Sequence, residues 1–134
     1  MNKDIANVLE FHKVNGAFIG NRDTYEKRLR YDVALLRLRL ITEELSELEQ
    51  AMGKEDIVEI ADALGDILYV VYGTVIAFGL HEKMQEIFNE IHDSNMSKMG
   101  ADGKPVTDGS GKVIKGPNYF KPQIREILFP EEIK

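Results

Sequence analysis

The sequence predicts an all-α fold, a single domain over residues 1–134 in the style of a four-helix bundle. Three observations predict it. Apolar residues recur every three or four positions through most of the first hundred residues, the spacing of one helix face. All four prolines lie from Pro105 onward, and five of the eleven glycines lie between Gly100 and Gly116, so the helix breakers are concentrated late in the chain. The stretch "KPVTDGSGKVIKG" reads as a short hairpin turning at Asp108–Gly111, within a Gly-rich loop or lid over residues 99–122.

The elements follow in order. Residues 3–14 form a first helix with Ile5, Val8, Leu9 and Phe11 as its apolar set. "NGAFIGNRD" is a loop, with Gly16 and Gly20 as breakers and Asp23 as N-cap. Residues 24–52 then read as one long helix closed by Gly53. A third runs from Lys54 to Phe78 and ends at Gly79. "HEKMQEIFNEIHDSNMSKM" is the fourth, and a short helix is expected near 123–128.

Bulk properties narrow the function classes. At 134 residues the chain is long enough for one sizeable core. It has no cysteine, which excludes disulfides and thiolate zinc sites and points to a cytoplasmic setting. The N-terminus lacks the layout of a signal peptide. Ile67–Leu80, about 14 residues, is the longest apolar candidate and falls short of a bilayer span, so no membrane partner is expected. A net charge of −6 argues against duplex nucleic acid as a partner. It leaves room for a small anion bridged by a divalent cation.

The chemistry lies in "TEELSELEQ", residues 42–50. At 100° per residue Glu43, Glu44 and Glu47 fall within about a 100° arc. Glu43 and Glu47 continue the stripe of Leu29, Val33, Leu36 and Leu40. On the next helix Glu59, Asp62 and Asp66 fall within about 60°, on a stripe that continues through Val70, Gly73 and Ala77. A face that is apolar further along points inward, and carboxylates facing one another there need counter-charge. Arg37 and Arg39 fall off the stripe. The alternative is a pair of solvated acidic faces with chance spacing. Hard divalent cations supply the missing charge, so Mg²⁺ is expected, with Mn²⁺ as a substitute; no histidine sits among the acids to favour zinc. Such ions bind substrate phosphates and activate water, which points to phosphoanhydride chemistry.

"EELSE" followed by "EIADALGDILYVVYG" resembles the all-α nucleoside triphosphate pyrophosphohydrolases, the MazG-like enzymes related to dimeric dUTPases and to phosphoribosyl-ATP pyrophosphohydrolase. Their pattern is E-E-x-x-E, a spacer, then E-x-x-D. "LEFHKVNG" and "EIHDSNMSK" add matches to the dUTP-hydrolysing branch, and the resemblance covers about residues 7–122. It implies metal ligands at Glu44 and Glu47, with Glu43 binding a second ion or orienting water. On the following helix Glu59 and Asp62 have the literal spacing, while "GDILYVVYG" aligns the family aspartate with Asp66 and puts Ala63 where a glutamate belongs. Asp62 and Asp66 are the expected ligands there, with Glu59 in support.

Asn95 and Lys98 match an N-x-x-K element that reaches substrate in the family. His12 and Phe11 are expected near the base pocket, although a structural role for His12 is the commoner alternative. Lys112, Lys115, Asn118, Tyr119 and Lys121 either cover a nucleotide or form an ordinary loop. The resemblance implies a Mg²⁺-dependent hydrolase splitting a nucleoside triphosphate, dUTP first, into monophosphate and pyrophosphate. Glu43 or Glu47 would activate the water, in a homodimer or homotetramer. Phosphoribosyl-ATP pyrophosphohydrolase is the alternative, to which the "FHK" start and the Gly-rich tail are a poor fit. A non-catalytic helical metal- or nucleotide-binding protein is the alternative of another class.

Overall fold

The computed structural model describes residues 1–28 and 30–132, which form two compact units, Met1–Glu82 and the chain from Lys83 onward. The first unit is helical throughout. α1 spans Lys3–Asn15 and opens where the Asn2 side chain accepts from the Ile5 amide at 2.8 Å, a satisfied N-cap. Its buried residues, Ile5, Val8 and His12, follow the three-then-four spacing of one face.

The expected helix over 24–52 is two helices. α2 covers Arg22–Lys27 and is started by Asn21, not Asp23; the Asn21 amide donates to the Thr24 hydroxyl at 3.0 Å. The backbone is extended at Arg28 and at Arg30, and α3 then runs Tyr31–Gly53. Asp32 in the first turn of α3 complements the helix dipole and holds the Arg30 guanidinium through two bonds of 3.1 and 2.6 Å. Leu29, part of the expected stripe, lies outside the described residues.

α4 spans Ile57–Ala77. Asp56 caps it, accepting from the Val58 and Glu59 amides. A Schellman turn ends it: Gly79 has φ 79°, its amide reaches the Ile76 carbonyl, and the Leu80 amide reaches Val75. At 21 residues α4 is long and apolar enough to cross a membrane by length and composition alone, where the sequence suggested only the shorter run Ile67–Leu80. Here it packs against α1 and α3 and carries Asp62 and Asp66 within it. Ile76 is fully buried on it, worth roughly 1.5–3 kcal/mol.

α3 and α4 form an antiparallel hairpin folded at Lys54–Asp56, with Glu55 in the left-handed region at φ 54°. In such a hairpin, residues equally far from the turn lie at the same level. Arg37 and Gly73 are each eighteen residues from Glu55, Glu44 and Asp66 each eleven, Glu47 and Ala63 each eight.

In the second unit α5 spans Met84–Met96. A two-stranded antiparallel hairpin follows, β1 (Val106–Thr107) and β2 (Val113–Ile114), with Val106 opposite Ile114. The expected turn at Asp108–Gly111 is present. The Asp108 carboxylate accepts from the Ser110 and Lys112 amides, and Gly111 has φ 87°. α6 covers Ile124–Leu128, followed by a 3₁₀ turn over Pro130–Glu132.

Candidate metal centre

The α3–α4 register brings three carboxylates together. Glu44, Glu47 and Asp66 each offer an oxygen, and these oxygens all lie within 4.8 Å of one another. Glu44 and Asp66 are half-buried and Glu47 is exposed. Glu44 Oε2 is out of contact with solvent and has no hydrogen-bond partner among the described residues. Burial raises the Glu44 carboxyl above the usual carboxylate range, and the Glu47, Asp66 and Glu43 charges add to the effect.

The expected stripe of α3 is inward only in part: Val33 and Leu40 are half-buried and Glu47 joins the triad, but two of its members are not covered. Spacing puts Leu36 and Glu43 on it, but Leu36 is 48% exposed and Glu43 is exposed too. Arg37 and Glu44, which the stripe left out, reach α4: Arg37 meets Val70 and Thr74, and Glu44 meets Asp66. The carboxylates of Glu59 and Asp62 stay outside the triad. Glu59 sits near the hairpin turn and meets Lys54 at 3.4 Å on the surface, and Asp62 is exposed. Opposite Glu47 stands Ala63, 3% exposed, where the family pattern has an acid.

The donor set suits a hard divalent cation. It consists of carboxylate oxygens alone, with no imidazole or sulfur, and it includes a buried oxygen that nothing else satisfies.

One level further from the turn lies a feature that stripe arithmetic does not reveal. Arg37 is 9% exposed and donates to the Val70 carbonyl at 3.0 Å and to the Thr74 hydroxyl at 3.3 Å. No carboxylate pairs with it among the described residues, and burial lowers its pKa. It fits because position 73 is glycine: a Cβ there would stand 2.2 Å from the guanidinium and 3.0 Å from His12 Nε2. The sequence signal was available, since Gly73 is an otherwise unexplained glycine inside a helix.

His12 is 4% exposed, and its Nδ1 donates to the Phe18 carbonyl at 3.1 Å. Its ring ties the loop after α1 to the core. Burial, and then the charges of Arg37 and His81, hold its pKa below the ordinary 6.5. Between the folded and unfolded values the unfolded chain binds more protons, so this part of the stability is complete above about pH 6.5 and fades as pH falls below it. Denaturant unfolding between pH 5 and 7.5 should show that slope, and His12→Asn, which keeps a donor near Nδ1, should flatten it. An equal slope in both proteins would remove His12 from this role.

Phe11 meets Tyr69 edge-on, with ring centroids 5.6 Å apart. Tyr69 lines a recess of about 220 Å³ between α1 and α4, together with Asp4, Asn7, Leu68 and Tyr72. Asn95, Lys98 and Lys121 belong to the second unit; Asn95 and Lys121 are exposed, Lys98 half-buried. Sequence reasoning missed Ser94, which is buried. Its hydroxyl donates to the Phe120 carbonyl at 2.8 Å, while the Phe120 amide donates to Ser97 Oγ.

Residues 10–95 match the family model described as phosphoribosyl-ATP pyrophosphohydrolase. A segment of 46 residues is 54% identical to an uncharacterised protein of Acanthamoeba polyphaga mimivirus; the segment is 34% of this chain and 18% of that protein. The chain thus matches less than a fifth of that relative's length. The family match contains both helices that bear the carboxylates, and it agrees with the helical architecture. The chain belongs to the phosphoribosyl-ATP pyrophosphohydrolase family, within the all-α pyrophosphohydrolase superfamily, whose chemistry is the hydrolysis of phosphoanhydride bonds in nucleotides.

Proposed function

We propose that the chain hydrolyses the bond between the α and β phosphates of a nucleoside triphosphate, releasing a monophosphate and pyrophosphate. The observation that carries this reading is the triad of Glu44, Glu47 and Asp66, with its unsatisfied buried oxygen. These residues would hold Mg²⁺, or Mn²⁺ in its place. The ion supplies charge neutralisation at the phosphates and a more acidic water.

The protein's own groups complete the reading. Glu47 is the exposed member of the triad, placed to take a proton from the attacking water as the bridging P–O bond breaks; Glu43, on the adjacent exposed face, is the other candidate. Asn95 and Lys98 bind phosphate oxygens, and Lys121 belongs to the same substrate-binding set. The recess bounded by Tyr69 and Tyr72 takes the base, with the Asn7 amide as its polar contact. α3 and α4 also expose Leu38 at 61%, Leu45 at 51%, Leu64 at 48% and Leu68 at 54%. An apolar exterior of that kind is suited to a second copy of the chain, in a homodimer or homotetramer.

dUTP is the first substrate, supported by the matches in "LEFHKVNG" and "EIHDSNMSK". Phosphoribosyl-ATP is the second reading, favoured by the family model that matches. Both contain the same scissile bond. With Mg²⁺ and a panel of dUTP, the other common nucleoside triphosphates and phosphoribosyl-ATP, at least one should yield pyrophosphate. Orthophosphate with a nucleoside diphosphate, or no turnover of any of them, would overturn the reading.

A further inference from the structure

The loop between α1 and α2 lies across the C-terminal end of α4. The Gly20 amide donates to the Ile76 carbonyl at 2.9 Å, and the Ala17 amide to the His12 carbonyl at 3.1 Å. A Cβ at Gly20 would stand 2.7 Å from the Gly79 amide nitrogen and closer still to the Ala77 carbonyl oxygen. A Cβ at Gly79 would collide with the Asn21 backbone, so the crossing takes glycine on both sides. His12 adds a side-chain bond, from Nδ1 to the Phe18 carbonyl at 3.1 Å. α2, next in the chain, buries none of its own residues.

The charged neighbours of His12 are basic. One point beside Gly73 lies within 3.0 Å of both the Arg37 guanidinium and His12 Nε2, so the two groups face each other across the gap that glycine leaves. His81, after α4, also acts on His12; its Nδ1 is buried with no hydrogen-bond partner among the described residues. Lys13 of α1 acts on His81, and the one acid beside that ring is the exposed Glu82. Between Val70 and Ala77, α4 contributes Tyr72 as its ionisable group, and Tyr72 lines the recess with Asn7 and Val8. A neutral imidazole suits this place, since its Nδ1–H donates to Phe18 and its Nε2 lone pair faces the guanidinium. An imidazolium does not, because its charge would lie buried beside that of Arg37 with no acid to pair either. The Phe18 bond survives protonation; the repulsion is relieved when the ring swings out and releases the loop.

We propose that His12 is a proton-operated latch on the Ala17–Asn21 loop, and that opening of this loop, with α2 behind it, becomes more frequent in acid. Burial lowers the pKa of the closed imidazole more than the Phe18 bond raises it, and Arg37 and His81 add to the lowering. With the loop open, the ring returns to an ordinary value of about 6.5. The open form therefore binds the proton, and opening increases as pH falls through about 6.5. One proton makes it at most about tenfold more frequent at pH 5.5 than at pH 7.5. Global unfolding also lets His12 take up a proton, but only local opening leaves α4 protected.

The test is hydrogen exchange of the full chain, read by mass spectrometry at pH 5.5 and 7.5 with exchange times scaled for the intrinsic effect of pH. The peptide over residues 17–27 should lose protection several-fold at pH 5.5, while the interior of α4 keeps its own. His12→Asn, which retains a donor near Nδ1, should make the loop insensitive to pH. His92→Asn, at an exposed histidine of the second unit, should respond like wild type. NMR titration of the wild-type imidazoles is the second measurement and stands even where His12→Asn fails to fold: His12 should titrate over the pH range in which the loop opens. Equal loop protection at the two pH values overturns the inference, as does an equal loss in α4, which would mean that acid acts on the whole unit. A His12 that titrates outside the range of loop opening overturns it as well. If His12→Asn keeps the response and His81→Asn abolishes it, the trigger is His81 and the inference falls.

Discussion

Glu44→Gln is expected to reduce pyrophosphate release by at least about 100-fold and, at the same time, to make the metal-free protein more stable. Both effects follow from one position. The Glu44 carboxylate lies in a triad whose oxygens are within 4.8 Å of one another, and two unit charges at that separation repel by about 1 kcal/mol even at the dielectric constant of water. Its Oε2 is desolvated without a partner. Glutamine keeps the shape and removes the charge, so repulsion and desolvation are relieved together. The pH dependence has the reverse of the usual carboxylate sign. Because the folded pKa lies above the unfolded value of 4.5, the folded protein binds the extra proton. The stability that this group adds at low pH is therefore lost as pH rises from about 4.5 through the folded value. Glu44→Gln removes that decline. Added Mg²⁺ should raise the melting temperature of the wild type by mass action and that of the variant far less. The measurements are melting curves with and without Mg²⁺ at several pH values, beside a turnover assay. A variant that melts like wild type in every condition and keeps its turnover would show that the triad neither holds a metal nor stores repulsion.

The sequence made the helices legible more readily than their rotation. The extent of α1 was readable from its apolar spacing and the end of α4 from Gly79 after the last turn, but the Asp56 cap was not, and the expected start at Lys54 falls three residues before Ile57. The break between α2 and α3 was not readable. It contains neither glycine nor proline, and its Arg30–Asp32 pair resembles any charged pair within a helix. The acidic residues were visible as two clusters, but pitch on one helix does not say which side meets the other. Leu36 and Glu43 looked inward by spacing; the hairpin turn at Glu55 set the register that brings Arg37 and Glu44 to α4. Adjacent residues thus part company, with Glu44 half-buried in the triad and Glu43 exposed. Arg37 escaped because a buried guanidinium without an acid runs against the expectation for charged side chains. Its acceptors, a backbone carbonyl and a threonine hydroxyl, carry no sequence signature.

Gly73→Ala is expected to destabilise the wild-type protein by about 2 kcal/mol and to stabilise an Arg37→Met background. Alanine is the better helix former by about 1 kcal/mol, so at an ordinary helical position the substitution would help. Here the new Cβ stands 2.2 Å from the Arg37 guanidinium, which must move. Moving it breaks the bonds to Val70 and Thr74 and leaves a charge buried without partners, a loss that outweighs the gain in propensity. Arg37→Met alone should be neutral or stabilising. It removes an uncompensated buried charge, and the Val70 carbonyl keeps the Thr74 hydroxyl as donor at 2.8 Å. In that background the Cβ meets a flexible thioether side chain, and His12 Nε2, at 3.0 Å, needs to shift by only a few tenths of an ångström. The propensity gain then prevails, and the sign of Gly73→Ala reverses. A double-mutant cycle by denaturant unfolding reads this directly, with a coupling of roughly 2–3 kcal/mol. Equal destabilisation by Gly73→Ala in both backgrounds would mean that Arg37 is not what the glycine accommodates, and that the close approach of α3 to α4 at this level has another cause.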